Sequence, residues 1–289
     1  MLKTVVLSEK FNREKPCVLL LGGFDGMHKG HLRLMERAKN EGLPVVILTI
    51  GGGKDGKNLF TFSEREEIFS SLGADCVFEL PFSEICHLSP QEFISLLRSE
   101  FIPALFICGE DFRFGNGASG TPETLKELAC SRVEVEKLLS IDGEKVSTSS
   151  VKSCIAAGDV EGANVLLSER YFLKGEVVKD RGVGRTLAFP TANIPWHKDK
   201  FPLKEGVYET SVFVDGKTYR AITNYGARPT FLNEVKTTET YIDGFSGELY
   251  GKTLKVVFVR RLRDVKKFGS IDELKAQLNE DIRRVRTHD

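Results

Sequence analysis

The chain has 289 residues, of which 41% are apolar and 28% charged, with 41 Lys plus Arg set against 41 Asp plus Glu. Its length suits two domains of roughly 100 to 200 residues each, and its composition excludes extended disorder, low complexity and a repeat architecture. Balanced charge excludes a global field of the kind that gathers nucleic acid, and no apolar run approaches the roughly 18 residues of a membrane span, so a cytoplasmic protein without nucleic-acid or membrane partners is expected.

In chain order, Pro16–Leu21 is an apolar run ending in Gly22-Gly23, and Leu32, Met35 and Ala38 begin a helical face that closes near Gly42. Strand Val45–Ile50 follows, then a helix opened by Ser63 with Glu66 three residues on, strand Ala74–Leu80, and a helix capped by Ser89, Pro90 and Glu92. Strand Ala104–Cys108, a helix from Thr121-Pro122, strand Val133–Leu139 and a helix from about Ser149 complete the first half. Five strands alternating with helices predict a Rossmann-like α/β domain on a parallel sheet. Six cysteines, Cys17, Cys76, Cys86, Cys108, Cys130 and Cys154, share this half without any C-x-x-C pair, so they read as buried free thiols rather than metal ligands or a disulfide framework.

The texture then changes. Tyr171–Lys179, Val207–Val214, Thr218–Thr223, Thr237–Ile242 and Leu254–Val259 read as strands without intervening helices, with a hairpin turn at Val214-Asp215-Gly216-Lys217. A last helix begins at a Ser270/Glu273 capping box and puts Ile271, Leu274, Leu278, Ile282 and Val285 on one face. This half predicts a small antiparallel β-barrel carrying a terminal helix. The boundary falls between Gly158 and Arg170 and is set at Leu167, giving domains 1–167 and 168–289.

The segment Gly22-Gly23-Phe24-Asp25-Gly26-Met27-His28-Lys29-Gly30-His31 joins the first strand to the first helix, at the edge of an α/β sheet where ligands bind. Its glycines let the backbone approach phosphates, and the helix start offers free N–H groups and a positive dipole end. His28 and His31 can both face a triphosphate and donate to charge developing on a pyrophosphate leaving group. On H-x-G-H alone, a metal site or a chance pair stays open.

The full segment resembles the G-x-F-D-G-x-H-x-G-H signature of the FMN adenylyltransferase module of bacterial bifunctional FAD synthetases. That resemblance makes Gly23, Phe24, Asp25 and Gly30 an ATP cradle and His28 and His31 catalytic. It extends to Gly109-Glu110-Asp111-Phe112-Arg113-Phe114-Gly115, implying a flavin or nucleotide loop at Asp111, Phe112, Arg113 and Phe114. It also covers Val146-Ser147-Thr148-Ser149-Ser150-Val151-Lys152, where Ser147, Thr148, Ser149 and Lys152 are expected at ATP phosphates. Lys152 stands where the family usually has Arg, and 51–58 is a glycine-rich loop where relatives carry a Pro- and His-containing segment.

In the second half, Arg181-Gly182-Val183-Gly184-Arg185 and Phe189-Pro190-Thr191-Ala192-Asn193 resemble the riboflavin kinase module, although Ala188 replaces a common Gly. Gly182, Gly184 and Arg185 are expected to bind the kinase ATP, with Thr191 and Asn193 on one side of an extended chain as oxygen ligands for Mg²⁺. Asn224-Tyr225-Gly226-Ala227-Arg228-Pro229-Thr230-Phe231, Thr238-Glu239-Thr240-Tyr241 and Gly247-Glu248-Leu249-Tyr250-Gly251 recur in that module, and the resemblance makes Glu239 the general base. The implied substrates are riboflavin, FMN and ATP, with flavin as both substrate and product. Three competing readings stay open: a kinase whose adenylyltransferase half has weakened, a non-catalytic flavin-binding module, and a cytidylyltransferase.

Overall fold

In the computed structural model, which describes residues 3–51, 56–179, 191–227 and 236–287, the chain divides into two compact units. One comprises residues 1–150 with 166–169, the other residues 151–165 with 170–289.

The first unit is built on a six-stranded sheet. Its strands are β1 (Lys3–Val6), β2 (Pro16–Leu21), β3 (Val45–Gly51), β4 (Cys76–Pro81), β5 (Ile102–Gly109) and β6 (Arg132–Glu136). Their spatial order is β1-β4-β3-β2-β5-β6, parallel throughout except for β1, which runs antiparallel along β4. Cys17 through Leu21 are all buried, as a parallel strand covered on both faces requires. From β2 the chain winds outward through β3 and β4, then crosses back to β5 on the other side. The topological switch therefore lies between the carboxyl ends of β2 and β5, where an open α/β sheet forms its ligand crevice.

Helices α1 (Lys29–Lys39), α2 (Phe62–Ser71), α3 (Phe82–Ile85), α4 (Pro90–Glu100) and α5 (Pro122–Leu128) connect these strands. The expected caps at Ser89/Glu92 and Thr121 form. The expected α2 start does not: the sequence holds two overlapping frames, and Thr61 with Glu64, rather than Ser63 with Glu66, makes the reciprocal capping box. A two-residue hairpin of β7 (Ser140–Ile141) and β8 (Glu144–Lys145) turns through Asp142 and Gly143, both at positive φ, before α6 (Thr148–Ala157). Burial lifts the Cys17, Cys76 and Cys108 thiols to about 12, but Cys130 is exposed and Cys86 and Cys154 only half-buried, correcting the expectation of uniformly buried thiols.

After α7 (Val160–Leu166), the second unit contains β9 (Phe172–Glu176), β10 (Thr191–Pro195), β11 (Gly206–Val214), β12 (Lys217–Ala227), β13 (Lys236–Ile242) and β14 (Thr253–Arg263). They form one antiparallel sheet ordered β10-β13-β12-β11-β14-β9. A bridge between Val178 and Asn193 joins its two ends, with the Val178 N–H donating to the Asn193 carbonyl at 2.9 Å, so the sheet nearly closes into a barrel. The Asp215-Gly216 turn forms as expected, with both residues at positive φ. Helix α8 (Ile271–Arg286) packs Ile282 and Val285 on Val207 and Ile222. Its Ile271 is 61% exposed and leaves the expected apolar face, and Glu273 accepts from Gly269 N rather than completing a box at Ser270.

Candidate active sites

At the switch of the first unit, His28 caps α1. Its Nδ1 accepts from the His31 N–H at 3.2 Å, so the neutral ring carries its proton on Nε2. His31 Nδ1 lies 3.0 Å from the Gly26 carbonyl, which can only accept, so His31 is protonated on Nδ1 and presents Nε2 as a lone pair. The rings stack with centroids 3.5 Å apart, and Phe24 lies 4.5 Å from His31. A Cβ on residue 30 would come within 3.1 Å of the His28 ring and press on it, so glycine leaves this imidazole room to fold back over the helix start. Burial, reinforced by neighbouring His31, pushes His28 down to about 2, and burial pushes His31 to about 4. Both are neutral near pH 7.

Around the histidines, Gly23 is exposed, whereas Phe24, at the left-handed φ of +42°, and Asp25 are buried. Asp25 Oδ1 accepts from the Leu59 N–H at 2.7 Å, tying the loop to the start of α2. After β5, Asp111 and Arg113 are exposed, and Lys145 Nζ reaches Asp111 Oδ2 at 2.7 Å. Phe112 and Phe114 instead stack 5.5 Å apart in the core, with Phe93 5.3 Å from Phe114. They anchor the loop whose polar side chains face outward. Ser147 Oγ accepts from the Ser150 N–H at the head of α6, followed by Thr148 and Ser149. Lys152, in the second unit, holds its Nζ 5.2 Å from the Phe201 ring. Sequence reasoning passed over Lys145, whose charge contributes to keeping His28 neutral.

In the second unit, register assembles the other site. Asn193 lies directly opposite Glu239, and Glu239 opposite Asn224, a row across β10, β13 and β12. Directly paired residues project from the same sheet face with Cβ atoms about 5 Å apart. Thr191, two residues before Asn193, shares that face opposite Tyr241. The Asn224 Oδ1 atom is buried without a hydrogen-bond partner among the described residues, an oxygen that sequence reasoning did not single out. On the opposite face Thr210, Thr223 and Thr240 join hydroxyls at 2.8 and 2.9 Å, filling the barrel interior. Gly182, Gly184 and Arg185 lie outside the described residues, as do 52–55 of the glycine-rich loop. Among the described residues, no cluster of three or more His, Cys, Asp or Glu side chains could hold a metal ion.

Two family models match in tandem: FAD synthetase over residues 10–150 and riboflavin kinase over residues 167–288. The chain is 32% identical over 286 residues to a bifunctional riboflavin kinase/FMN adenylyltransferase of Bacillus subtilis, covering 91% of this chain and 90% of the relative. It is 30% identical over 286 residues to the protein of the same description in Escherichia coli K12, covering 93% and 91%. A crystal structure from Streptococcus pneumoniae described as a macrolide-efflux protein superposes with a TM-score of 0.87 at 29% identity, covering 96% of each chain. Among the described residues of this chain, no helix is long and apolar enough to cross a membrane.

Proposed function

The chain belongs to the bifunctional riboflavin kinase/FMN adenylyltransferase family, and from that premise we propose how its residues divide the two reactions. It phosphorylates riboflavin to FMN with ATP and adenylylates FMN to FAD with a second ATP. Residues 1–167 are assigned to adenylylation and 168–289 to phosphorylation.

For phosphorylation, the terminal ribityl hydroxyl attacks the γ-phosphorus, the bond from γ-phosphorus to its bridging oxygen breaks, and ADP leaves. Glu239 accepts the hydroxyl proton, because an alcohol is a poor nucleophile until a carboxylate within hydrogen-bond reach takes its proton. The cross-strand row supports this role by putting Asn193 and Asn224 on either side of Glu239. Those amides, the Thr191 hydroxyl and the carboxylate are all oxygen donors, the set a hard cation selects. With the buried Asn224 Oδ1 open, they fit Mg²⁺ arriving on ATP better than a resident metal. Thr191 and Asn193 would hold the ion, which neutralises phosphate charge when bound. Gly182, Gly184 and Arg185 remain the proposed phosphate loop.

For adenylylation, an FMN phosphate oxygen attacks the α-phosphorus of ATP, the bond to the β-bridging oxygen breaks, and pyrophosphate leaves. The observation that carries this reading is the tautomer pair at the switch crevice: His28 offers an Nε2–H to the leaving group, and His31 takes a proton before it can donate a second. Gly23, Phe24, Asp25 and Gly30 shape the cradle, while Ser147, Thr148, Ser149 and Lys152 serve the phosphates. Asp111 and Arg113 contact the nucleotide or flavin from a loop anchored by Phe112 and Phe114.

The test incubates the full-length protein with riboflavin, ATP and Mg²⁺ and follows FMN and FAD by chromatography. His31→Ala should accumulate FMN. Glu239→Gln should make no FMN from riboflavin yet convert supplied FMN to FAD. A Glu239→Gln protein that phosphorylates riboflavin at the wild-type rate removes the general-base assignment.

A further inference from the structure

A buried arginine that neither reaction uses lies beneath the adenylylation loop. Arg65, on α2, is 1% exposed. Its Nη1 donates to Thr49 Oγ1 at 2.7 Å, and its Nη2 to Glu79 Oε1 at 3.0 Å. The Thr49 hydroxyl, itself fully buried on β3, spends its one proton on the Gly23 carbonyl at 2.8 Å. A directed chain thus runs from guanidinium to hydroxyl to the backbone of the loop. Burial lowers the Arg65 pKa, and the charges of Glu79 and Asp25 oppose that shift. A buried charge is costly unless paired and hydrogen-bonded, so an apolar side chain would be the simpler filler if packing were all this position required.

The chain fixes one peptide plane. A trans peptide holds its C=O and the following N–H on opposite sides, and none of the described peptide bonds is cis. With the Gly23 carbonyl turned to Thr49, the Phe24 N–H points to the opposite side of the peptide, away from Thr49. Among the described residues no protein group accepts from it. Gly23 itself is exposed, and Phe24 beside it holds a left-handed φ of +42°, a strained conformation of the kind that gathers at ligand-binding loops.

We infer that Arg65 and Thr49 are positioning residues for adenylyl transfer: they lock the Gly23–Phe24 peptide so that the Phe24 N–H is presented to an oxygen of the ATP phosphates. The inference rests on the proposed ATP cradle and deepens it. Neither side chain touches the nucleotide. Glu79 and Thr49 hold the guanidinium, and the guanidinium polarises the hydroxyl that grips the carbonyl.

The test compares full-length wild type with Thr49→Val, which is nearly isosteric and lacks the hydroxyl, Thr49→Ser, which restores it, and Arg65→Lys, which keeps the charge but loses the two-pronged donor. FAD formation from FMN and MgATP gives kcat and the KM for ATP, and riboflavin phosphorylation in the same preparation reports on the other site. Thr49→Val should lower kcat/KM for ATP in FAD formation by about tenfold to a hundredfold, the range a displaced contact group costs. Thr49→Ser should recover most of that loss, and riboflavin phosphorylation should stay unchanged throughout. Wild-type FAD formation by Thr49→Val, or an equal loss in Thr49→Ser, overturns the inference, since the effect would then follow packing and not the hydrogen bond. If hydrogen exchange across β2 and β5 shows that Thr49→Val unfolds the first unit, Arg65→Lys decides: selective loss of FAD formation upholds the inference and a wild-type rate overturns it. His31→Ala run alongside separates the two levels. A fully active His31→Ala sinks the cradle itself, whereas loss in His31→Ala with none in Thr49→Val sinks only the positioning role.

Discussion

Replacing His28 with Asn should flatten the acid sensitivity of the first unit. His28 is 8% exposed, and burial with the adjacent His31 ring holds it neutral down to about pH 2, against an ordinary value of 6.5. The geometry explains why: the proton to be added belongs on Nδ1, which already accepts the His31 N–H, and the resulting cation would stack on a second imidazole. A base whose folded pKa is depressed contributes its full stability above the unfolded value and loses it as pH falls, because the unfolded chain binds a proton that the native fold refuses. At about pH 5 the unfolded imidazole lies some 1.5 units below its own pKa, so His28 alone should cost the native state about 2 kcal/mol relative to neutral pH. Asn keeps a capping side chain at the head of α1 and removes the titration.

Urea titrations at about pH 7.5 and about pH 5, read by a brief deuterium pulse on peptides from β2 and β3, report the first unit by itself. Trp196, the sole tryptophan, belongs to the second unit and supplies a fluorescence control on the same samples. Wild type should lose about 2 kcal/mol more than His28→Asn between those conditions. Equal losses would show that His28 protonates in the folded protein, and the neutral-tautomer pair would have to be abandoned.

In the second unit, Asp281 is fully buried and receives Arg263 Nη2 at 2.7 Å. Asp281→Ala should therefore cost about 3–5 kcal/mol by Trp196 fluorescence in urea, while the double change Arg263→Met with Asp281→Leu should regain most of it; a loss near zero in the single variant refutes the pairing. Gly120→Ala places a Cβ 2.8 Å from the Phe114 ring. It should destabilise the first unit by about 1–3 kcal/mol and slow FAD formation by shifting the Asp111–Arg113 loop, leaving riboflavin phosphorylation untouched; FAD kinetics unchanged by the substitution would detach that loop from the reaction. Chelating divalent cations with EDTA should stop both reactions without lowering either thermal transition, because the described residues offer no metal cluster; a chelator-dependent fall in Tm would point to a resident ion.

What could be read from the sequence follows from where each signal resides. Strands β2 to β5 announce themselves as apolar runs because both faces of a parallel strand are buried. By contrast β1 is a four-residue edge with exposed ends, and β10 is built from Thr-Ala-Asn-Ile-Pro, which includes two poor strand formers, so both are made by their partners and not by local preference. The same division runs through chemistry. His28, His31 and Glu239 sit in contiguous motifs and were legible as candidates. Arg65, Thr49 and Lys145 belong to no motif, and Asn224 opens one without standing out in it; they acquire meaning only because sheet order and register bring β3, α2, β8 and β12 beside the catalytic candidates. A second-half Asn opposite a strand Glu is unremarkable until pairing sets three donors in a row. A lone Arg in a helix reads as surface charge until folding buries it under the loop it braces. Residues that touch substrate can be conspicuous in one dimension, whereas residues that hold those residues still are defined by neighbours distant in sequence, and only the fold names them.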